Sequence, residues 1–517
     1  MTKLNILFLM TDQHRFDHVG FNGNKIVRTP NLDALAARSV NFKKTFVSNP
    51  ICMPNRSTIM TGRMPSIHGV RHNGMSLDWR SNTYVRVLKQ AGYRTSHIGK
   101  SHLQNMGVNR SGMLKYVDFS LPDEAIEMGL DEGWDDCENL ARYRSLDEVS
   151  LPDDFYGFER ADFTVSHGDI CGGHYYQWLL ENGLDPSEYQ GPKNALNNYE
   201  GWHQVYQTRI PAELYPTSYI ANRTIEELDA AAADDRPFMI HCSFPDPHHP
   251  FSPPGKYWEM FDPKEMPLPE SFRQDHADSM GHLQAYVAEP GVPNSNATHP
   301  FSPSADQLRH ALAAQYGMIA LIDDQVGRIL AKLEETGQAG NTIIVFTSDH
   351  GDMFGDHGLI MKHTMLYEGC THVPLLISAP GCEPGNREGL TGSIDIAQTL
   401  LELTGCTPYY DMQGFSLAAM LTDNSVKVRE SLLIEEDERE DIFGIGKPFR
   451  SRTLVTESSR TTVYEGVARG EHYKLANDPG EVENQWGDQA SRAIALEQLM
   501  QEMMRVGDHT PRPRYSA

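Results

Sequence analysis

The sequence predicts an α/β fold whose centre is a large, mainly parallel sheet. Short apolar runs bounded by turn residues are typical of strands that are buried on both faces. Helical patterns lie between these runs, and this alternation predicts a sheet covered by helices on both sides. Asp or His residues closely follow three of the four runs, at the strand ends where such folds bind their ligands.

Four apolar runs are predicted to be central strands of the parallel sheet. The first lies in the apolar run Leu4–Met10, which is too short for a signal peptide, is interrupted by Asn5 and is followed by no small-residue cleavage site, so we interpret it as a strand. The runs are NILFLM (5–10), RPFMIHCSF (236–244), NTIIVFTSD (341–349) and VPLLISAP (373–380).

Helical and hairpin patterns account for much of the remaining chain. A helix is predicted within residues 29–40, with Thr29 as its N-cap and Pro30 at its first position. Residues 306–337 show the periodicity of a long amphipathic helix, and residues 452–467 predict an antiparallel hairpin.

We predict two domains. A catalytic domain covers residues 1–415, and a small α+β domain with an antiparallel sheet covers residues 416–517. Two segments of the first domain, about 105–235 and about 260–305, lack clean periodicity. We interpret both as insertions over the active-site face, where substrate specificity is expected to reside.

Charge and cysteine content exclude several classes of function. The 517-residue chain has a formal net charge of −25, which argues against a nucleic-acid partner or an anionic membrane. No run approaches the roughly 18 apolar residues of a membrane span. The seven cysteines form no CxxC pair, so we expect a cytoplasmic protein in a reducing compartment. An anionic substrate would require a local cluster of positive charge.

A divalent-metal site is predicted from Asp12, Asp349 and His350. Two carboxylates and one imidazole form a mixed oxygen and nitrogen set that suits such a cation. Asp349 and His350 lie in the phrase SDHGDMFGDHG, whose glycines bring the backbone close and direct side chains to one point.

Several basic residues are candidates for binding an anion. Lys100 and His102 are two residues apart at a predicted strand end, so their side chains point the same way. Lys362 follows the metal phrase, and prolines restrict the backbone around His248. With Arg56, these residues would form the positive cluster that an anion needs inside an acidic protein.

The stretch CMPNR places Cys52 four residues before Arg56 and is followed by a Thr-Gly-Arg turn. Most free cysteines are buried and structural, whereas a thiolate with a lowered pKa is a nucleophile. The spacing is shorter than that of the tyrosine-phosphatase loop. The residues alone leave both interpretations open.

The ordered set of motifs resembles the type I, formylglycine-dependent sulfatases of the alkaline phosphatase superfamily, a group that includes arylsulfatases, choline sulfatases and phosphonate monoester hydrolases. The resemblance extends from about residue 3 to 486 and is weakest across 105–235. It is carried by CMPNR with TGR, and by TPNLDALA, GYRTSHIGKSHL, PHHP, SDHGDMFGDHGLIMKHTMLYEG and YKLANDPGEVENQW.

This resemblance implies an alkaline-phosphatase-like sandwich, with a mixed and mainly parallel sheet between helices. It further implies that a formylglycine-generating enzyme recognises Pro54 and Arg56 and oxidises Cys52 to formylglycine, the hydrate of which is the nucleophile. The implied ligands of one divalent metal ion are Asp12, Cys52, Asp349 and His350.

The resemblance also implies a role for each basic residue in cleaving a small sulfate monoester. Lys100 and Lys362 would bind the sulfate oxygens, and Arg56 would hold the modified residue. His248 would donate a proton to the leaving oxygen, and His102 would help to remove a proton from the second hydroxyl, which expels sulfate.

Three alternatives remain open. The Asp12-Gln13 and Asp349-His350 pairs are also similar to the phosphonate monoester hydrolases, which use the same nucleophile on phosphonates and phosphodiesters but lack the basic pair at 100 and 102. A degenerate binding protein with this fold is the second alternative. The third is an unmodified Cys52 thiolate.

The leaving group is not encoded in these motifs, and aryl, choline and sugar sulfates all remain open. His72 and Asn73, in the phrase RHNG, are candidate substrate-binding residues, although a polar turn explains them equally well. The Met-rich amphipathic helix predicted at residues 490–507 is a candidate contact in a homo-oligomer.

We predict that manganese is the native metal, with calcium as the alternative. Gln13 contributes no charge, and His350 stands where many sulfatases carry Asn. The ligand set therefore has fewer anionic oxygens and includes an imidazole nitrogen, which suits a transition metal better. Metal analysis of protein purified without added metal is expected to show manganese. Stoichiometric calcium without manganese would contradict this expectation.

Overall fold

A nine-stranded mixed sheet forms the centre of the part of the chain that the structure describes. The computed structural model describes residues 3–107, 134–147, 149, 151–294, 299–438, 441, 448 and 450–507. The first eleven strands are β1 (Asn5–Thr11), β2 (Val40–Phe46), β3 (Arg94–Gly99), β4 (Arg160–Val165), β5 (Gly172–Gly173), β6 (Asn197–Asn198), β7 (Tyr206–Gln207), β8 (Phe238–Ser243), β9 (Thr342–Ser348), β10 (Leu375–Ser378) and β11 (Gly385–Gly392).

The strand order in the sheet is β11-β2-β10-β9-β1-β8-β3-β4-β5, and β6 and β7 form a separate pair. Strand β1 is central: Ile6 lies between Met239 of β8 and Ile343 of β9, and both pairings are parallel. All strands of the large sheet run in one direction except β5 and β10.

The strand predicted at 373–380 is present as β10, but its predicted parallel orientation is wrong. It is antiparallel to both of its neighbours, β9 and β2. The connection from β9 starts at the carboxyl edge of the sheet, and the chain re-enters the sheet from that same edge. A strand that enters there must run against β9.

Helices cover both faces of the sheet. Leu7 and Leu9 of β1 pack in a core with α1, α7 and α9, whereas Ile6 and Phe8 pack in a second core with α2, α4 and α11. Because successive strand residues point to opposite faces, a run that is apolar throughout predicts this double coverage. The helices are α1 (Pro30–Ala36), α2 (Cys52–Thr61), α3 (Pro65–His68), α4 (Tyr84–Gln90), α5 (His174–Glu181), α6 (Pro186–Tyr189), α7 (Pro216–Ala232), α8 (Gly281–Val287), α9 (Ala305–Glu335), α10 (Glu368–Thr371), α11 (Asp395–Leu403) and α12 (Gln489–Gly507).

Helix α1 begins at Pro30, as predicted, but the side chain of Thr29 does not cap it. The cap comes from another helix. The buried carboxylate of Asp323, in α9, accepts the backbone N–H groups of Asn31 at 3.1 Å and Leu32 at 2.8 Å. These N–H groups have no partner within their own helix, so the carboxylate ties α1 to α9.

The segment 105–235 is not only an insertion. Strand β4 extends the large sheet in parallel with β3, and α7 packs with α9 in the core on one face. Residues 108–133 lie outside the described part of the chain. The segment 260–305 contains α8 and reaches the C-terminal region, where Arg469 donates a hydrogen bond to the carbonyl of Asp278 at 2.6 Å.

A separate antiparallel sheet follows, with strands β12 (Ser431–Asp437), β13 (Arg450–Thr456), β14 (Ser459–Tyr464) and β15 (Glu471–Lys474). Leu499 and Val506 of α12 pack against Leu433 and Leu454 on one face of this sheet. The predicted fold class, hairpin and terminal helix are confirmed. The domain boundary at 415 stays a prediction. Among the described residues, no helix combines the length and apolar character that crossing a bilayer requires.

We predict that Asp323→Ala lowers the free energy of unfolding by about 2 kcal/mol, because it leaves the buried N–H group of Leu32 and the half-buried one of Asn31 without an acceptor. Urea unfolding followed by circular dichroism measures this loss. Glu334→Ala is the control: Glu334 lies on the same helix but is exposed, and among the described residues its ion pair is with the exposed Arg38, so a change within about 0.5 kcal/mol is expected. Equal losses in the two variants would contradict the assignment.

Candidate active site

Polar side chains converge where the parallel strands end. Asp12 follows β1, Lys100 follows β3, and Asp349 follows β9; all three are fully buried. His248 lies in the loop after β8 and is buried too. The prediction that chemistry lies at the carboxyl ends of the strands is therefore consistent with the arrangement of these side chains.

Cys52 is the first residue of α2, and its side chain points into this cluster. The amide oxygen of Asn73 accepts the backbone N–H of Met53 at 3.1 Å, which satisfies one of the free N–H groups in the first turn. Gly62 ends the helix with a φ of 63°, a left-handed conformation that favours glycine. Residue 52 is thereby held on a rigid element.

The guanidinium of Arg56, one turn along α2, binds both metal-site carboxylates. Its Nη2 donates to Asp12 at 2.9 Å and its Nε donates to Asp349 at 2.6 Å. Its Nη1 donates to the carbonyl of Lys100 at 2.7 Å and to the hydroxyl of Ser243 at 3.0 Å. One side chain thus connects the ends of β1, β3, β8 and β9.

The thiol of Cys52 is surrounded by two nitrogens and a carboxylate. His350 Nε2 lies 3.0 Å from the sulfur, Lys362 Nζ lies 3.2 Å away, and Asp12 Oδ1 lies 3.8 Å away. His350 Nδ1 donates to the carbonyl of Gly351 at 2.9 Å, and a carbonyl only accepts. The proton therefore lies on Nδ1, and the lone pair of Nε2 faces the cluster.

The donor set fits a divalent metal ion. The ligand atoms of four buried side chains lie within 4.8 Å of one another, and they combine two carboxylates, one imidazole and residue 52. The amide of Gln13 is turned to other partners, since Oε1 accepts from Lys362 at 2.9 Å and Nε2 donates to His249 at 3.4 Å. The four side chains are Asp12, Cys52, Asp349 and His350.

His167 is a member of the cluster that the sequence analysis missed. Lys100 Nζ donates to its Nε2 at 2.5 Å and also contacts the carboxylate of Asp12. Its ring stacks on that of His248 with 3.5 Å between the ring centroids. His167 follows the end of β4 as Asp12 follows β1, so recognising β4 as a strand of the sheet would have identified it.

His102 is held near Lys100 by a loop that a buried carboxylate fixes. Glu138 accepts the backbone N–H groups of His102 at 2.6 Å and of Leu103 at 3.0 Å. His102 itself has a φ of 54°, which is rare for a residue other than glycine. The Glu138 carboxylate therefore sets the position of the imidazole, and this contact carries no signal in the sequence.

His72 and Asn73, the predicted substrate-binding pair, make their hydrogen bonds outside the cluster around Cys52. Asn73 supports the first turn of α2, as described above. His72 is half-buried, and its Nδ1 lies 2.9 Å from the carbonyl of Asn73. A substrate-binding role for the pair stays a prediction.

The charges of the cluster shift the pKa values of its members. Burial alone raises the pKa of Asp12, but the charges of Lys100 and Arg56 outweigh it and hold this pKa well below its usual range. Burial and the same two cations lower the pKa of His102. Burial and the neighbouring His167 lower that of His248. The Asp12 carboxylate is therefore ionised, and the imidazoles of His102 and His248 are neutral. His350 differs: burial alone lowers its pKa, but the charge of Asp349 outweighs burial and raises this pKa, so a metal ion would compete there with a proton.

A protein-family model described as Sulfatase matches residues 4–406. The chain belongs to the sulfatase family. A second model, described as the C-terminal part of N-sulphoglucosamine sulphohydrolase, matches residues 355–509 and so includes the antiparallel sheet of this sulfatase.

The sulfatase is similar in sequence to two curated proteins and in structure to a third. It is 29% identical over 500 residues to an arylsulfatase from Clostridium perfringens, covering 93% of this chain and 90% of that one. It is 27% identical over 489 residues to a choline-sulfatase from Rhizobium meliloti, covering 93% and 82%. The structure of a phosphonate monoester hydrolase from Agrobacterium radiobacter has a TM-score of 0.76 and 26% identity, covering 98% and 96%. These findings confirm the resemblance to the alkaline phosphatase superfamily and its fold.

We predict that Arg56→Lys lowers the free energy of unfolding by about 3 kcal/mol, because an ammonium cannot bridge the two buried carboxylates. The catalytic efficiency is expected to fall at least about 100-fold. Urea unfolding and a sulfatase assay measure the two effects. The control is Arg63→Lys, since Arg63 donates to the main-chain carbonyls of Tyr410 and Asp411 beyond the end of α2. A smaller loss of stability for Arg56→Lys than for Arg63→Lys would contradict the bridging role.

Proposed function

We propose that this sulfatase cleaves a small sulfate monoester at Cys52, once that residue has been oxidised to formylglycine. The observation that supports this proposal is the excess of positive charge around residue 52. Arg56, Lys100 and Lys362 converge there with two carboxylates and several imidazoles, inside a chain with a net charge of −25. A bound oxyanion would neutralise part of this positive charge.

The metal and the modified residue would share one set of side chains. Asp12, Asp349 and His350 would hold a divalent ion beside residue 52. When bound, the ion supplies Lewis acidity, which lowers the pKa of an oxygen attached to it. After a formylglycine-generating enzyme has acted on the CMPNR segment, addition of water to the aldehyde of formylglycine would supply a hydroxyl in place of the thiol. Manganese is the proposed metal and calcium the alternative.

Two lysines near residue 52 would bind the sulfate group. Lys362 Nζ lies 3.2 Å from the Cys52 sulfur, and Lys100 Nζ lies beside Asp12. Both side chains are almost fully buried, so their ammonium groups act in a site from which water is largely excluded. Fixed donors in such a site stabilise the charge that develops on the sulfate oxygens.

His248 is the proposed general acid for the leaving oxygen. Its Nδ1 donates to the carbonyl of His249 at 2.5 Å, which orients the ring. The pKa of His248 is lowered by burial, His167, His249 and the two lysines. An anionic ester would offset those cations and raise this pKa towards the value that a proton donor needs. His102 is the proposed base for the return of residue 52 to its resting state.

The second candidate function is hydrolysis of phosphonate monoesters or phosphodiesters with the same nucleophile. The Asp12-Gln13 and Asp349-His350 pairs favour it, as does the structural similarity to the Agrobacterium radiobacter enzyme. Lys100 and His102, which that branch lacks, favour the sulfate ester. The leaving group stays open, as does the proposed homo-oligomer.

We predict that an aryl sulfate such as 4-nitrophenyl sulfate is cleaved with a higher kcat/KM than the matching aryl phosphonate monoester. Initial rates for both compounds on one preparation of metal-loaded enzyme test this order, and some phosphonate turnover is expected because the machinery is shared. If the phosphonate has the higher efficiency, the second candidate function replaces the first.

We predict that His248→Ala lowers kcat at least about 100-fold for an alkyl sulfate but much less for 4-nitrophenyl sulfate, because only the poor leaving group needs a proton. The matched control is His249→Ala: this neighbouring histidine contacts Gln13, so its loss should affect both substrates alike. Equal losses on the two substrates in His248→Ala would assign the general acid elsewhere.

A further inference from the structure

A second cluster of metal-binding residue types lies where the loop after β9 meets the end of β12. It consists of His363, Glu436 and Glu438, each of which offers one ligand atom, and these atoms lie within 4.8 Å of one another. The three residues are 7%, 1% and 9% exposed. None of them belongs to the cluster around Cys52.

Glu436 provides an independent reason to expect a cation here. One of its carboxylate oxygens accepts the backbone N–H of Thr364 at 2.9 Å. The other, Oε2, is buried and has no hydrogen-bond partner among the described residues. Burial and the nearby Glu438 raise the pKa of Glu436 to about 8. A buried carboxylate oxygen without a partner is costly, and a neighbouring carboxylate adds to the cost.

We propose that His363, Glu436 and Glu438 bind a divalent transition-metal ion, at a site separate from the one at Cys52. Two carboxylates supply the charge that neutralises a dication, and the imidazole favours Zn²⁺ over the hard ions Ca²⁺ and Mg²⁺. The unpartnered oxygen of Glu436 would become a ligand. The three ligands take no part in the proposed reaction themselves, and the binding of the ion can be measured without turnover.

The position of the site suggests what the ion does. His363 follows Lys362 directly, and the loop is unusual: Met361, His363 and Thr364 have φ values of 81°, 79° and 59°. Such conformations are costly for residues other than glycine and persist only where the surroundings enforce them. An ion shared by this loop and β12 would hold the loop and so position the ammonium of Lys362 at residue 52.

The test uses the full chain, stripped of metal with a chelator, with metal binding around Cys52 disabled by Asp12→Asn, because Asp12 belongs to both groups of possible ligands that include Cys52. Calorimetric titration with Zn²⁺ alone is expected to show one site in this variant and none in Asp12→Asn/Glu436→Gln. Zn²⁺ should also raise the Tm of the first variant and not that of the second, since a ligand that binds only the folded state stabilises it. Glu457→Gln in place of Glu436→Gln is the control, because Glu457 lies in the turn between β13 and β14 and, within the described part of the chain, forms its ion pair with the exposed Lys427.

Absence of Zn²⁺ binding in Asp12→Asn, or binding that survives in Asp12→Asn/Glu436→Gln, would overturn the proposal. If Asp12→Asn fails to fold, metal content is compared in the otherwise unchanged protein: two ions per chain should fall to one in Glu436→Gln, and an unchanged content would overturn the proposal equally. Neither readout uses turnover, so a failure of the proposed sulfatase activity would be distinguished from a failure of the second site.

Discussion

The ion pairs between Arg56 and the carboxylates of Asp12 and Asp349 are the constraint on which the rest of the site depends. All three side chains are fully buried or nearly so, and each carboxylate would be strongly unfavourable there without the guanidinium. The guanidinium is planar and donates in fixed directions, so it also fixes the positions of the two carboxylates relative to each other. Cys52, on the same helix, is placed one turn away from this fork.

The charge distribution explains how an acidic protein could bind an anion. Surface carboxylates produce the net charge of −25, but they lie in water, where their field is screened. Lys100 and Lys362 lie in the interior, where fewer water molecules weaken their attraction for an anion. The histidines add hydrogen-bond donors without a permanent charge, since burial lowers their pKa values. The charge of the side chains around residue 52, and not the net charge of the chain, therefore governs whether an anion can bind.

Much of the fold and of the cluster could be predicted from the sequence, because central strands are apolar throughout and polar residues mark their ends. Asp12 and Asp349 are examples. Strand β4 was missed because it lies near the edge of the sheet and begins with exposed and half-buried residues, and His167 was missed with it. The direction of β10 and the capping of α1 by Asp323 depend on contacts between distant segments, which no local pattern records.

The central claim is that residue 52 acts in its oxidised form, and the most direct measurement is the mass of the tryptic peptide TFVSNPICMPNR, residues 45–56, from enzyme of measured sulfatase activity. We expect a mass lowered by the difference between thiol and aldehyde, or the corresponding hydrate, with an oxidised fraction that rises in proportion to activity across preparations. A fully active preparation in which Cys52 is intact and can be alkylated would contradict it and would point to the thiolate.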